Sequence, residues 1–340
     1  MAGKWFSNLM GDRPQVLLEQ EIDLGGSAHH TLERDREYLR VRLNALKLAY
    51  GRQGTRKYFG CVYSEFRVTD LRLGEAVYHR VTTPDYLKGI DETSLDRVLI
   101  KDIILLDSVP YRGDLSFQLG LVSIPTVDGD LVGPYLEFLA EVADTTGVGA
   151  MAKAALGYVQ PLQKGFDLLC GAQKGIRLEV GIDKSFEDVS TGTYVLCRGD
   201  LSSRLPLKLS ESGSLLDANG DSVEGMPYVI YSIEATKRNT RWKAFEVKEA
   251  HDKLMALSQI GETRRIREQA LPHFKEVLRA SPELILEDAI LLGEEEERRY
   301  SGDPGTRHQV SHRDFVPWSL DDLEAAIDTL KAGKARNGSS

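Results

Sequence analysis

A chain of 340 residues that is 41% hydrophobic and 28% charged has enough apolar surface for one large core or two ordinary ones, which excludes both a disordered chain and a disulfide-stapled miniprotein. Its formal charge of -9 repels phosphate and anionic lipid over most of the surface, so nucleic acid is not an expected partner. Three scattered cysteines (Cys61, Cys170, Cys197) with no Cys-x-x-Cys pair point to a reducing, cytoplasmic setting, and no run of about 18 apolar residues offers a spanning helix.

Residues 1–14 read as a tail whose apolar patch (Trp5, Phe6, Leu9, Met10) is too short for a secretory signal. A frayed or core-docked end is expected there, with a brief interfacial anchor, and so peripheral membrane contact, as the alternative. Over 15–243 a period of two dominates and predicts a β-rich, sandwich-like domain. The strand candidates are 16–24, 58–69, 76–82, 97–106, 115–121, 176–182, 193–197, 205–209 and 228–234. Ile176, Leu178, Val180 and Ile182 alternate with Arg177, Glu179 and Gly181, and Leu115, Phe117, Leu119 and Leu121 repeat the rhythm. Between Phe66/Val68 and Leu71/Leu73 the apolar parity slips by one residue, which demands a bulge or a turn.

Two helices are expected inside this body. The first covers 32–50, with Leu39, Leu43, Leu46 and Tyr50 on one face, and the second covers 134–169, opened by Gly133-Pro134. Residues 244–332 read as helical: Ala250, Leu254 and Leu257 align, Gly261 breaks the run, Ser281-Pro282-Glu283 signals a new helix, and Ser319 caps a last one striped by Leu320, Leu323, Ile327 and Leu330. Residues 333–340 form a disordered tail. The expected class is α+β: a β-sandwich-like body with helical insertions, C2-like by architectural analogy, followed by an α-helical C-terminal region. That analogy carries no activity.

Phosphate-loop, nucleophile-elbow and His-Glu-x-x-His signatures are absent. Gly147-x-Gly149-x-x-Ala152 lacks the preceding strand that a dinucleotide fingerprint needs and reads as a joint between helices. Asp217, Asn219 and Asp221 imitate the opening of a calcium loop, but Ser222 and Tyr228 occupy the positions that require Gly and Glu, so a hairpin turn is expected. A calcium site shared between loops would use Asp128, Asp130, Asp217 and Asp221. His308, His312 and Asp314 lie in a Gly/Pro-containing loop with no helix to fix their geometry, and His29 and His30 follow a turn with no identifiable partner. The Arg-Gly-Asp triplets at 112–114 and 198–200 read as turns ending strands.

The enzyme alternative rests on Glu246-x-Lys248, a carboxylate and an ammonium on one side of an extended segment, together with Glu234 on a neighbouring strand. Metal-dependent nucleases use such a set to hold Mg²⁺ and steady an attacking water. Lys237, Arg238, Arg241, Trp242 and Lys243 would grip phosphate, whereas the simpler expectation is a charged connection whose Trp packs on the core. Without a catalytic constellation, the principal expectation is a non-enzymatic binding or scaffold protein acting on a protein partner through β-sandwich loops and C-terminal helices, with no cofactor. The nuclease alternative implies Mg²⁺, and a calcium- or lipid-responsive C2-like module implies Ca²⁺.

Overall fold

The computed structural model describes residues 17–22, 29–49, 51–53, 56–70, 74–82, 99–125, 177–198, 204, 206–210, 214–223, 225–237, 239, 242–243, 245–300, 319–321, 323 and 325. The expectations for 1–14, 134–169 and 333–340 fall outside these. In chain order the strands are β1 (Leu17–Glu21), β2 (Tyr38–Lys47), β3 (Arg52–Gln53), β4 (Arg56–Asp70), β5 (Gly74–Val81), β6 (Leu99–Pro110), β7 (Leu115–Pro125), β8 (Arg177–Phe186), β9 (Gly192–Arg198), β10 (Lys208–Leu209), β11 (Leu215–Leu216) and β12 (Tyr228–Thr236).

Two antiparallel five-stranded sheets take ten of them. The first runs β1-β9-β12-β2-β6, the second runs β3-β4-β7-β8 with β5 also paired to β4, and β10 pairs β11. The parity slip after Val68 is resolved by chain reversal: β4 and β5 pair from Tyr63↔Val81 to Asp70↔Gly74, and Gly74 takes a φ of 75°. Arg112-Gly113-Asp114 does lie between the end of β6 and the start of β7, with Gly113 at φ 111°.

The helix expected at 32–50 is not formed; Tyr38–Lys47 is a central strand, paired to β12 on one side and β6 on the other. Leu39 and Leu43 are four residues apart, a spacing that satisfies both a helical turn and two strand repeats. Val41 separates the two readings, because a helix would turn it to the opposite side from Leu39, whereas a strand aligns Leu39, Val41 and Leu43, all buried in one core. The β-branched Val41 and the alternation with Arg40, Arg42 and Asn44 favour the strand. Bulges shift the register before Ala45 and Leu46, which is how the apolar parity changes within ten residues.

One core cluster draws on both sheets: Leu39, Val41, Leu43 and Tyr231 from the first, Val62, Phe66, Phe117 and Leu119 from the second. Phe117 sits among three rings, with centroids 5.8 Å from Phe66, 5.6 Å from Phe186 and 5.6 Å edge-on from Tyr231.

Helices follow β12: α1 (Phe245–Gln259), α2 (Thr263–Arg265), a π-helical turn (Ile266–Ala270), α3 (Leu271–Arg279) and α4 (Leu286–Tyr300). Gly261 separates α1 from α2 at φ 74°, as its position predicts. The π turn immediately precedes Pro272, and Leu271 N–H reaches Ile266 O; a wider turn here relieves the clash a proline ring makes with the carbonyl four residues back. Ser281-Pro282-Glu283 forms a turn in which Ser281 Oγ accepts the Glu283 N–H at 3.3 Å, and α4 begins only at Leu286. Trp242, Leu254, Phe274, Leu278, Leu292, Leu320 and Leu323 close a separate helical core. The chain is thus mostly antiparallel sheet with helices toward its C-terminal end, an α+β arrangement. Among the described residues no helix is long and apolar enough to cross a membrane.

Candidate functional site

Strand alternation puts Arg40, Arg42 and Asn44 of β2 on the face opposite the core, beside Glu234 of β12 and the bulged strand β6. Arg42 donates from Nε to Glu234 Oε1 at 2.9 Å and from NH1 to Asp102 Oδ1 at 2.6 Å. Arg40 donates to Asp107 Oδ1 at 3.3 Å and to Ser108 Oγ at 3.0 Å, and Asn44 hydrogen-bonds Ser232. Hydrogen bonds to Asp102 and Glu234 push the Arg42 pKa up and hold the guanidinium charged. Glu234, proposed from sequence as a metal-holding acid, therefore has a guanidinium across its carboxylate. Pairs this exposed contribute up to about 1 kcal/mol each.

Glu246 and Lys248 do not lie on an extended segment. Both are exposed in the first turn of α1, where a two-residue step rotates side chains by about 200° and sends them to opposite sides. Trp242 is buried in the helical core, and Lys243 reaches Asp321 while standing 5.9 Å from the Trp242 ring centroid, as expected of a packed connection. Arg238 and Arg241 lie outside the described residues. Asp217 Oδ1 accepts the N–H groups of Asn219 at 2.9 Å and Asp221 at 3.0 Å, which is turn chemistry. Asp128, Asp130, Gly147, Gly149, Ala152, His308, His312 and Asp314 fall outside the described residues. His29 contacts Glu21, and His30 Nε2 lies 2.8 Å from Glu37 Oε2. Among the described residues no three His, Cys, Asp or Glu side chains are grouped so as to hold a metal ion.

Local pattern gave no warning of a clasp between the sheets. Glu19 on β1 accepts from Tyr231 Oη at 2.6 Å and from Lys184 Nζ on β8 at 2.7 Å, and Lys184 also stands 4.4 Å from the Phe186 ring centroid. Burial first, and then Glu19, push the Tyr231 phenol far above its ordinary range, so it stays protonated and donates to Glu19. The three partners come from residues 19, 184 and 231, a separation that no short motif spans.

The helical third differs from these satisfied clusters. Its large exposed hydrophobics are Ile260 at 66%, Leu286 at 54% and Ile290 at 37%, and no other such residue is found among the described ones. Leu286 and Ile290 are one turn apart on α4, flanked by exposed Glu287 and Glu294. A groove between α1 and α3 is rimmed by Glu246, Glu249 and Glu276 over a floor of Ala250, Val277 and Ala280. Lys253 bridges to Glu249 at 2.7 Å, and that contact holds the Glu249 carboxyl below its ordinary pKa. The apolar pair carries an i, i+4 signal in the sequence, but exposure depends on which face of α4 the bundle covers. Searches against protein-family models, curated proteins and solved structures find no match, so the functional argument rests on the helical surface itself.

Proposed function

We propose that this chain is a non-enzymatic binding or scaffold protein that docks a protein partner on its C-terminal helices, with the sheet body as platform. The observation that carries this reading is the exposed Leu286/Ile290 pair on α4, since the large hydrophobics exposed among the described residues all lie in the helical third. Exposed Glu287 and Glu294 beside that pair select an amphipathic partner segment with basic flanks. A sandwich-like body is part of the same proposal, supported by the core cluster to which both sheets contribute. Cytoplasmic placement is supported by the sparse, scattered cysteines (Cys61, Cys170, Cys197), which include no Cys-x-x-Cys pair.

The test is affinity capture by tagged full-length protein, comparing wild type with the Leu286→Asp/Ile290→Asp double variant. A discrete partner should be retained by the wild type and lost by the variant, with the thermal midpoint of the variant lowered only modestly because both side chains are partly in solvent. A charge reversal, Glu287→Lys/Glu294→Lys, should weaken the same complex. Identical captured proteins from wild type and the double variant, with both chains monomeric, would overturn the proposal.

A further inference from the structure

His251 lies on α1 inside the helical core at 3% exposure. Its ring is 5.7 Å from that of Phe274 on α3, tilted by 54°, and its Nε2 is buried with no hydrogen-bond partner. A neutral imidazole tolerates this position because a bare lone pair is a modest loss. A protonated one would put an N–H donor and a full charge into the same partnerless space.

We propose that His251 is a proton-triggered latch of the helical unit: uptake of one proton at this ring parts α1 from α3 while the two sheets stay folded.

Burial, rather than the balance of nearby charges, favours the neutral form of the ring. From α4, Arg299 repels a charged imidazole, although Glu295 offsets it in part by accepting from Arg299 at 3.2 Å. From α1 itself, the neighbouring Asp252 pulls the other way. On α3, Phe274 faces the ring, His273 turns to the groove beside Glu249, and Lys275 turns to Glu297 at 2.6 Å. The π turn contributes the apolar Ile266 to the same core. Burial moves the His251 pKa below its ordinary value, overcoming the opposing pull of Asp252, with a smaller contribution from Arg299.

The sign follows from linkage. With the folded value depressed, the opened state binds more protons, so the closed helical unit loses stability as pH falls below about 6.5 and the loss is complete below the folded value. Nothing is lost above that window. Carboxylates act in a separate, lower range, since those held below their ordinary values weaken a fold only as pH falls below about 4.3. The latch acts on α1 and α3 whatever partner the helices bind, so its failure and the failure of the docking proposal are separable.

Hydrogen exchange on the full chain, corrected for intrinsic rates, tests this between about pH 7.5 and about pH 5.5, a window that spans the ordinary histidine value. Amides of 245–279 should lose protection by up to about tenfold per pH unit below about 6.5, while β4, β7 and β12 stay protected. The loss should vanish in His251→Leu and in His251→Gln. Equal protection of wild-type helices at both pH values, or a loss that persists in a folded variant, overturns the proposal. Should neither variant fold, the ring proton of wild-type His251 followed by NMR decides, because titration at or above the ordinary value is incompatible with the latch.

Discussion

Tyr38 on β2 donates its hydroxyl to Asp288 Oδ2 on α4 at 2.7 Å, joining the sheet body to the helical unit across a separation of 250 residues. The Tyr38 hydroxyl oxygen in turn accepts the backbone N–H of Ile285 at 3.3 Å, just before α4 begins. Tyr38 is fully buried, and burial together with Asp288 pushes its pKa far above the ordinary range, so the phenol stays a donor across the working pH range.

Tyr38→Phe keeps the ring and leaves both the Asp288 carboxylate and the Ile285 amide without this partner. The expected loss is about 1–3 kcal/mol, measured by chemical denaturation of the full chain. A change within about 0.5 kcal/mol would mean that water replaces the hydroxyl at no cost.

Arg112 serves the same joint, donating NH1 to Asp35 Oδ1 at 3.0 Å and NH2 to the Leu284 carbonyl at 3.1 Å. Arg112→Lys preserves the charge but has no planar fork to span both acceptors. It should destabilise by about 1–3 kcal/mol, a discounted figure because Asp35 is partly exposed, and should raise proteolytic sensitivity near 280–288. Full resistance in that variant would show that charge alone holds the joint.

Two substitutions probe the sheet core in opposite senses. Phe117→Ala removes the central ring and should cost about 3–5 kcal/mol by denaturant titration. Gly60→Ala adds a Cβ that would stand 2.9 Å from Leu46 Cδ1 and 3.2 Å from Leu121 Cδ1, and should cost about 1–3 kcal/mol through overpacking.

Glu295 gives an acid-side prediction. Burial alone would raise its carboxyl pKa, but the guanidiniums of Arg298, at 2.8 Å, and Arg299, at 3.2 Å, prevail and hold it below its ordinary value. Its contribution is therefore complete above the ordinary carboxylate range of about 4.3 and is lost as pH falls through the depressed folded value. Glu295→Gln should lower helical stability at neutral pH and flatten the acid limb of thermal melts below about pH 4. An acid limb identical to that of the wild type would assign the protons elsewhere.

The strand rhythm was legible where bulky apolar residues alternate with small or polar ones, as along Leu115–Leu121, because alternation is written into neighbouring residues even where, as at Gln118 and Gly120, both faces are buried. It failed at Leu39 and Leu43, where a four-residue spacing fits two periods and only Val41 decides. Glu246 and Lys248 were misplaced because the switch from strand to helix comes just before them, and a two-residue spacing that shares a side in one conformation opposes it in the other. The Tyr38–Asp288 joint and the Glu19 clasp were invisible for a different reason: each is made by residues far apart in the chain, and only the folded topology brings them together.

Among the described residues strand β6 ends the first sheet, and within it Asp102 and Ser108 adopt left-handed φ values of 43° and 48° at two of the three places where its pairing with β2 loses register. A foreign strand approaching that border would find its ladder interrupted three times, with only short straight runs of amides and carbonyls between the irregularities. That border thus resists being lengthened by another chain.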